Sequence, residues 1–238
     1  RAEKVAEAQA AMRAGLPDLD AEFIEKHIER FYPDYWMRFE TRQHIEHAHL
    51  VANAMKAGVK LATHHTTDAF TAITELTVFA PNHPRLLSLF AGACAASGAN
   101  IFGAHITTTR DGCALDTFLL QRELPNDEDE DRRARRISQT IEKLLKGEAR
   151  LKSLLETRRP IERRVEAFSV APEVIIDNSL SDQFTVIEVA GRDRPGLLYD
   201  LTSALSDLNL DISSAHITTF GEKAIDVFYV TALTSKKI

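Results

Sequence analysis

The chain of 238 residues has only two cysteines, and no stretch of it approaches the roughly 20 consecutive apolar residues that cross a bilayer. Cys94 falls in a predicted helix and Cys113 near the start of a predicted strand, so they read as small buried hydrophobes in a reducing compartment, not as a disulfide framework. No charged-then-apolar leader opens the chain, and the expectation is a cytoplasmic protein with no membrane contact. Positive charge is also short: the formal balance is -6, which offers nucleic acid no general attraction. Arg132, Arg133, Arg135 and Arg136 do cluster, but the acids Asp127 to Asp131 precede them directly. Spacing of four pairs Glu128 with Arg132, Asp129 with Arg133 and Asp131 with Arg135, which predicts a solvated, self-paired helix rather than a phosphate-binding patch.

Signatures of catalysis are missing as well. There is no glycine-rich phosphate loop ending in Lys-Ser/Thr, no Gly-Ser followed by the spaced aspartates that hold two metals for nucleotidyl transfer, and no nucleophile elbow. A predicted helix from Arg42 to Lys56 carries His44, His47 and His49, and His64-His65 follows. His44 and His47 share a helical face, but His49 points elsewhere and Glu46 is the only carboxylate among them. No His-Asp dipeptide exists for a metal hydrolase of that type, so surface or interdomain histidines are expected, with no metal and no cofactor in this stretch.

What the chain does have is a repeat. Shifting it by about 111 residues lays Pro84-Arg-Leu-Leu87 on Pro195-Gly-Leu-Leu198 and Ala104-His-Ile-Thr-Thr108 on Ala215-His-Ile-Thr-Thr219. After a slip of one residue, Asp116-Thr-Phe falls on Asp226-Val-Phe. Duplication at that length means two copies of one small domain.

Each copy has the same order of signals. A strand hairpin comes first, Val59–Thr66 with Ile73–Ala80 and Val174–Asp177 with Phe184–Ala190, and its leading strand can extend the sheet at one edge. A loop and an amphipathic helix follow, Asn82-His-Pro-Arg85 before Leu86–Ser97, and Asp193-Arg-Pro-Gly196 before the helix opened by Leu197, Leu198 and Leu201. In the first copy the strand Asn100–Thr109 turns at Arg110-Asp-Gly112 into Ala114–Arg122, and a helix Glu128–Leu145 crosses back. Pro160 then stops a charged connector before an edge strand near Val165–Val170. Ahead of both copies lie three helices, at residues 3–14, 21–31 (capped by Asp20 and ended by Tyr32-Pro33) and 42–56 (capped by Thr41 and ended by Gly58). The aromatic stretch Asp34–Phe39 is expected to pack in a core or between domains.

The two copies resemble the ACT domain, a βαββαβ amino-acid-sensing module. Together with Tyr35-Trp36 and Ala104-His-Ile-Thr-Thr-Thr-Arg-Asp-Gly112, the tandem resembles the C-terminal region of the bifunctional enzymes that uridylylate and deuridylylate the PII nitrogen-signalling protein, over roughly residues 30 to 238. The fold implied is α+β: two ferredoxin-like βαββαβ domains, at 59–172 with a charged linker and at 173–238, preceded by a helical connector at 1–58. Arg1 at the start, and a second copy that stops after its third matching strand, lead to the expectation of a fragment whose second domain is incomplete. By resemblance, such domains pair side by side, within or between chains, and bind a free amino acid between the first loop of one copy and the second-strand start of its partner. The positions that match are Asp193, Arg194, Pro195, Gly196 and Leu197 with Asp211 and Ile212, and Asn82, His83, Pro84, Arg85 and Leu86 with Asn100 and Ile101.

Chemistry agrees with that placement. Backbone N–H groups of Gly196 and Leu197 at a helix start can take a carboxylate, and Asp193 or Asp211 can accept from an ammonium. The first copy is the weaker half, with Arg85 in place of Gly196 and Asn82 and Asn100 in place of the two acids. His105 and His216 hold matching strand positions, in the sheet core or at the pairing seam, and are expected to be structural. The resemblance implies glutamine as ligand, a parent that is a PII uridylyltransferase and uridylyl-removing hydrolase using magnesium upstream, and a non-catalytic role here. The competing expectation is an ACT-type pairing module of another multidomain enzyme that binds no small molecule.

Overall fold

A computed structural model describes residues 1–68, 70–157 and 170–238. Residues 1–64, 77–82 and 107–116 form one compact unit and the remaining residues a second. All but the last residue of the strand expected near 165–170 lie outside the described residues, as does Pro160.

The first unit is built on four helices, α1 (Ala2–Ala14), α2 (Ala21–Arg30), α3 (Pro33–Arg38) and α4 (Thr41–Ala57). Asp20 caps α2 by accepting from the N–H groups of Glu22 and Phe23 at 2.8 and 3.3 Å. Pro33 does more than end α2: at the first helical position its missing N–H is not needed, and it opens the short α3. The cap of α4 is Glu40, not Thr41, because Glu40 and Gln43 side chains each bond the other residue's backbone in a capping box. Gly58 ends α4 with a φ of 65°, a conformation glycine takes without penalty. Met12, Leu16, Ile24, Ile28, Phe31, Tyr35, Trp36, Phe39 and Val51 make the core, closed by Phe79 and Leu115.

His44 and His47, expected at a surface or between domains, lie instead within this core at 0% and 1% exposure, and His27 joins them at 1%. Their rings lie among aromatic neighbours: His27 is 5.0 Å from Phe31, His44 4.9 Å from Trp36, and His47 Nδ1 3.0 Å from the Tyr35 hydroxyl. Burial lowers His27 and His47 to about 3 and His44 to about 4, so all three are neutral near pH 7. Among the described residues no group of three or more His, Cys, Asp or Glu is placed to hold a metal.

The strands are β1 (Ala62–Asp68), β2 (Ile73–Pro81), β3 (Ile101–His105), β4 (Cys113–Gln121), β5 (Glu173–Asp177), β6 (Thr185–Arg192), β7 (Leu210–Phe220) and β8 (Lys223–Ala232). They form a sheet in the order β1-β2-β4-β3-β7-β8-β6-β5. The helices between them are α5 (Leu86–Ala96), α6 (Asp127–Leu145), α7 (Leu151–Glu156) and α8 (Leu197–Asp207). Each copy is thus a βαββ unit, β2-α5-β3-β4 and β6-α8-β7-β8, and α6 continues the first. This is the α+β, ferredoxin-like arrangement expected. The hairpin strands β1 and β5 take the outer edges, as the repeat of strand signals predicted. In the middle, β3 meets β7 antiparallel with His105 opposite His216.

The charged helix α6 departs from the fully solvated expectation. Arg132 and Arg135 pair with acids three or four residues earlier, as spacing predicts. Arg133 does not reach Asp129; it is buried and bonds Glu130 at 2.7 Å and the Gln121 carbonyl at 3.1 Å. Glu130 also accepts from the Thr74 hydroxyl at 3.1 Å, so a buried polar network pins α6 to the sheet.

Candidate functional site

The loop after β6 is shaped by backbone bonds before any ligand is considered. The Asp193 N–H donates to the Glu222 carbonyl at 2.8 Å, tying the loop to the β7–β8 turn. In the first copy the Asn82 N–H makes the equivalent bond to Gly112 at 3.0 Å. Gly196 stands at φ 83°, left-handed backbone that a Cβ disfavours, and α8 starts from it. Leu197 is not a free donor: its N–H closes a turn onto the Arg194 carbonyl at 3.1 Å, which removes one of the two donors expected for a carboxylate. The Arg194 side chain pairs with Asp200 on α8.

The two loops are unlike for a reason that lies in one residue. Where Gly196 is left-handed, Arg85 takes φ -101° and its guanidinium reaches Asp207 at 3.1 Å. The Leu86 N–H again closes a turn, onto the His83 carbonyl at 3.0 Å, and Leu86 itself is core. Asn82, His83, Pro84 and Arg85 are exposed.

The second loop does meet the strand start of the first copy. The Asn100 side-chain amide donates to the Asp193 carboxylate at 3.3 Å and lies 3.4 Å from the Gln121 amide oxygen. Around this contact is a pocket lined by Asn100, Ile101, Asp193, Gly196, Tyr199 and Asp226 among others, with a volume of about 10 Å³. That is room for one water molecule. Arg194 and Leu197 also line it. Asp211 and Ile212 do not; they sit in β7 opposite Thr231 and Val230.

Asp226 is the residue that sequence reasoning passed over as a site. Alternation along β8 turns Ala224, Asp226, Phe228 and Val230 inward, so the acid lies on a core face at 2% exposure. Burial, with the nearby Asp193 charge, pushes its carboxyl up to about 7. The match of Asp116 to Asp226 in the repeat was the available signal. Asp116 is equally buried, accepts from the Thr107 N–H at 3.1 Å, and is likewise raised to about 7.

Comparison with known proteins adds the family context. The profile of a family described as an ACR9-like, ACT-like domain matches residues 173–238. A "bifunctional uridylyltransferase/uridylyl-removing enzyme" of Bradyrhizobium sp. (strain ORS 278) is 50% identical over 238 residues, all of this chain and 26% of that protein. The enzyme of the same name from Rhodopseudomonas palustris is 49% identical over 240 residues, with the same coverage of each. The chain therefore spans about a quarter of the length of these relatives and corresponds to their C-terminal part. A solved aspartate kinase from Synechocystis aligns over 68% of this chain and 24% of its own at 15% identity and a TM-score of 0.37.

Proposed function

We propose that this chain is the amino-acid-sensing regulatory segment of a longer cytoplasmic enzyme that uridylylates and deuridylylates the PII protein, and that its ligand is glutamine. In this reading residues 1–58 link to upstream catalytic domains, where magnesium and the chemistry reside, and residues 59–172 and 173–238 are paired ACT-type sensors. The single observation that supports it best is the meeting of Asp193 with Asn100 in a pocket beside the start of α8. A helix start attracts a carboxylate, and Asp193 beside it attracts an ammonium, so the pair suits a zwitterion.

The pocket as it stands is too small for an amino acid. A ligand must therefore widen it, and in doing so it binds an opened arrangement of the two copies better than the closed one. That difference in affinity is what allows a ligand to bias a distant catalytic domain. The same small volume favours a second reading, in which the copies pair as an interaction module and bind nothing.

Thermal unfolding of the protein against a panel of free amino acids at millimolar concentration separates the two. Ligand at about 100 times its dissociation constant stabilises by roughly 2.7 kcal/mol, a shift of several degrees. Selective stabilisation by glutamine, lost in Asp193→Ala, is expected. A flat response across the panel would leave only the pairing module.

A further inference from the structure

Asp226 presents a carboxylate oxygen with nothing to bond. Its Oδ1 has no hydrogen-bond partner among the described residues although the side chain is 2% exposed, and it lines the same pocket as Asp193. Thr219 Oγ1, in that lining too, also lacks a partner. Buried acceptors without donors are costly, and Arg194, the guanidinium of the lining, is engaged with Asp200. Three residues that carry acceptor oxygens, Asp226, Asp193 and Thr219, thus line one small space.

We infer that Asp226, with Asp193 and Thr219, receives the ammonium group of the ligand, which selects a primary α-amino acid over its keto or hydroxy analogue. The inference rests on the sensing reading above and assigns a residue within that site. An ammonium has three N–H donors and would replace the Asn100 amide as the donor to Asp193. Asp116, in the first copy, is the matching acid outside this pocket.

A consequence follows for protons. The titratable groups lining the pocket besides Asp226 are Asp193 and Arg194 from the loop and Tyr199 from α8; β7 supplies Ile217 and Thr219, and the β3 side Asn100 and Ile101. With its carboxyl pushed up to about 7, Asp226 is about half protonated at that pH. Binding of an ammonium needs the carboxylate, so the proton leaves Asp226 for solvent as the ligand enters. Affinity for glutamine should then rise about tenfold from pH 6 to pH 8 as the ionised fraction grows.

The test is calorimetric titration of the protein with L-glutamine at pH 6, 7 and 8, each in two buffers of different ionisation enthalpy. Expected are release of about half a proton per ligand at pH 7 and the tenfold rise in affinity. Asp226→Asn should bind at least tenfold more weakly with no proton release, while Asp116→Asn, outside the pocket, retains both. Glutamine binding that is independent of pH and equal in Asp226→Asn would overturn the assignment and leave the sensing reading standing. Absence of binding by any amino acid would overturn both. Should Asp226→Asn fail to fold, proton release by the unaltered protein decides alone.

Discussion

Lowering the pH from 7 to 5 should weaken the helical unit by about 4 kcal/mol, and the histidines of its core set that figure. His27, His44 and His47 stay neutral in the folded protein at pH 5, because burial holds them at about 3 to 4, while in the unfolded chain they titrate near 6.5. Each lowered base contributes stability that is full above its unfolded value and is lost as pH falls toward its folded value. Between pH 7 and 5 the loss is about 2 kcal/mol per imidazole, or about 6 for three. It does not depend on how far below 5 the folded values lie. Asp116, in the same unit, works the other way: a carboxyl raised to about 7 gains about 2 kcal/mol over this range as it is protonated. The net loss is a large part of a typical domain's stability.

Urea unfolding at the two pH values, followed by tryptophan fluorescence, reads this directly. Trp36 is the only tryptophan and is 3% exposed within the same core. The midpoint should fall sharply at pH 5, and His27→Phe, whose ring keeps the contacts to Phe23 and Phe31, should recover about 2 kcal/mol of the loss. A midpoint that is unchanged or higher at pH 5 would refute the reasoning.

Three further outcomes test other parts of the fold. Asp116→Asn should stabilise at pH 8, by about 1 to 3 kcal/mol, and have little effect at pH 5, since only the ionised acid is penalised by burial; denaturant curves at both pH values check the sign. Glu130→Ala leaves Arg133 buried without its partner and should cost about 3 to 5 kcal/mol in the same assay, whereas Arg132→Ala at the exposed pair should cost under about 1. Gly196→Ala forces a Cβ into left-handed backbone and should lower stability by about 1 to 2 kcal/mol. Arg85→Ala, at φ -101°, escapes that strain, so equal losses in the two variants would contradict the loop geometry.

Local signals in the sequence determined the element order of this protein, because each depends on only a few neighbouring residues. The helix cap at Asp20, the left-handed stop at Gly58 and the Asp-Gly turn at 111–112 are choices made within one turn of chain. The repeat fixed the βαββ units because Pro84 and Pro195, and the two Ala-His-Ile-Thr-Thr strands, recur in step. Two local details lie beyond those signals: the cap of α4 is the Glu40 and Gln43 pair in place of Thr41, and the aromatic stretch after α2 forms the separate short helix α3. Tertiary structure alone decided which polar residues are buried and which distant ones meet. The helical pattern alone leaves His44 and His47 at a surface or between domains, because one helix cannot show what covers it, and the cover comes from the aromatic rings of Tyr35, Trp36 and Phe39. Arg133 turned from Asp129 to Glu130 because the sheet supplied Thr74 and the Gln121 carbonyl. Asp226 entered the pocket, and Asp211 did not, because sheet pairing and strand alternation, not charge, set which side chains face the space between α8 and the strands.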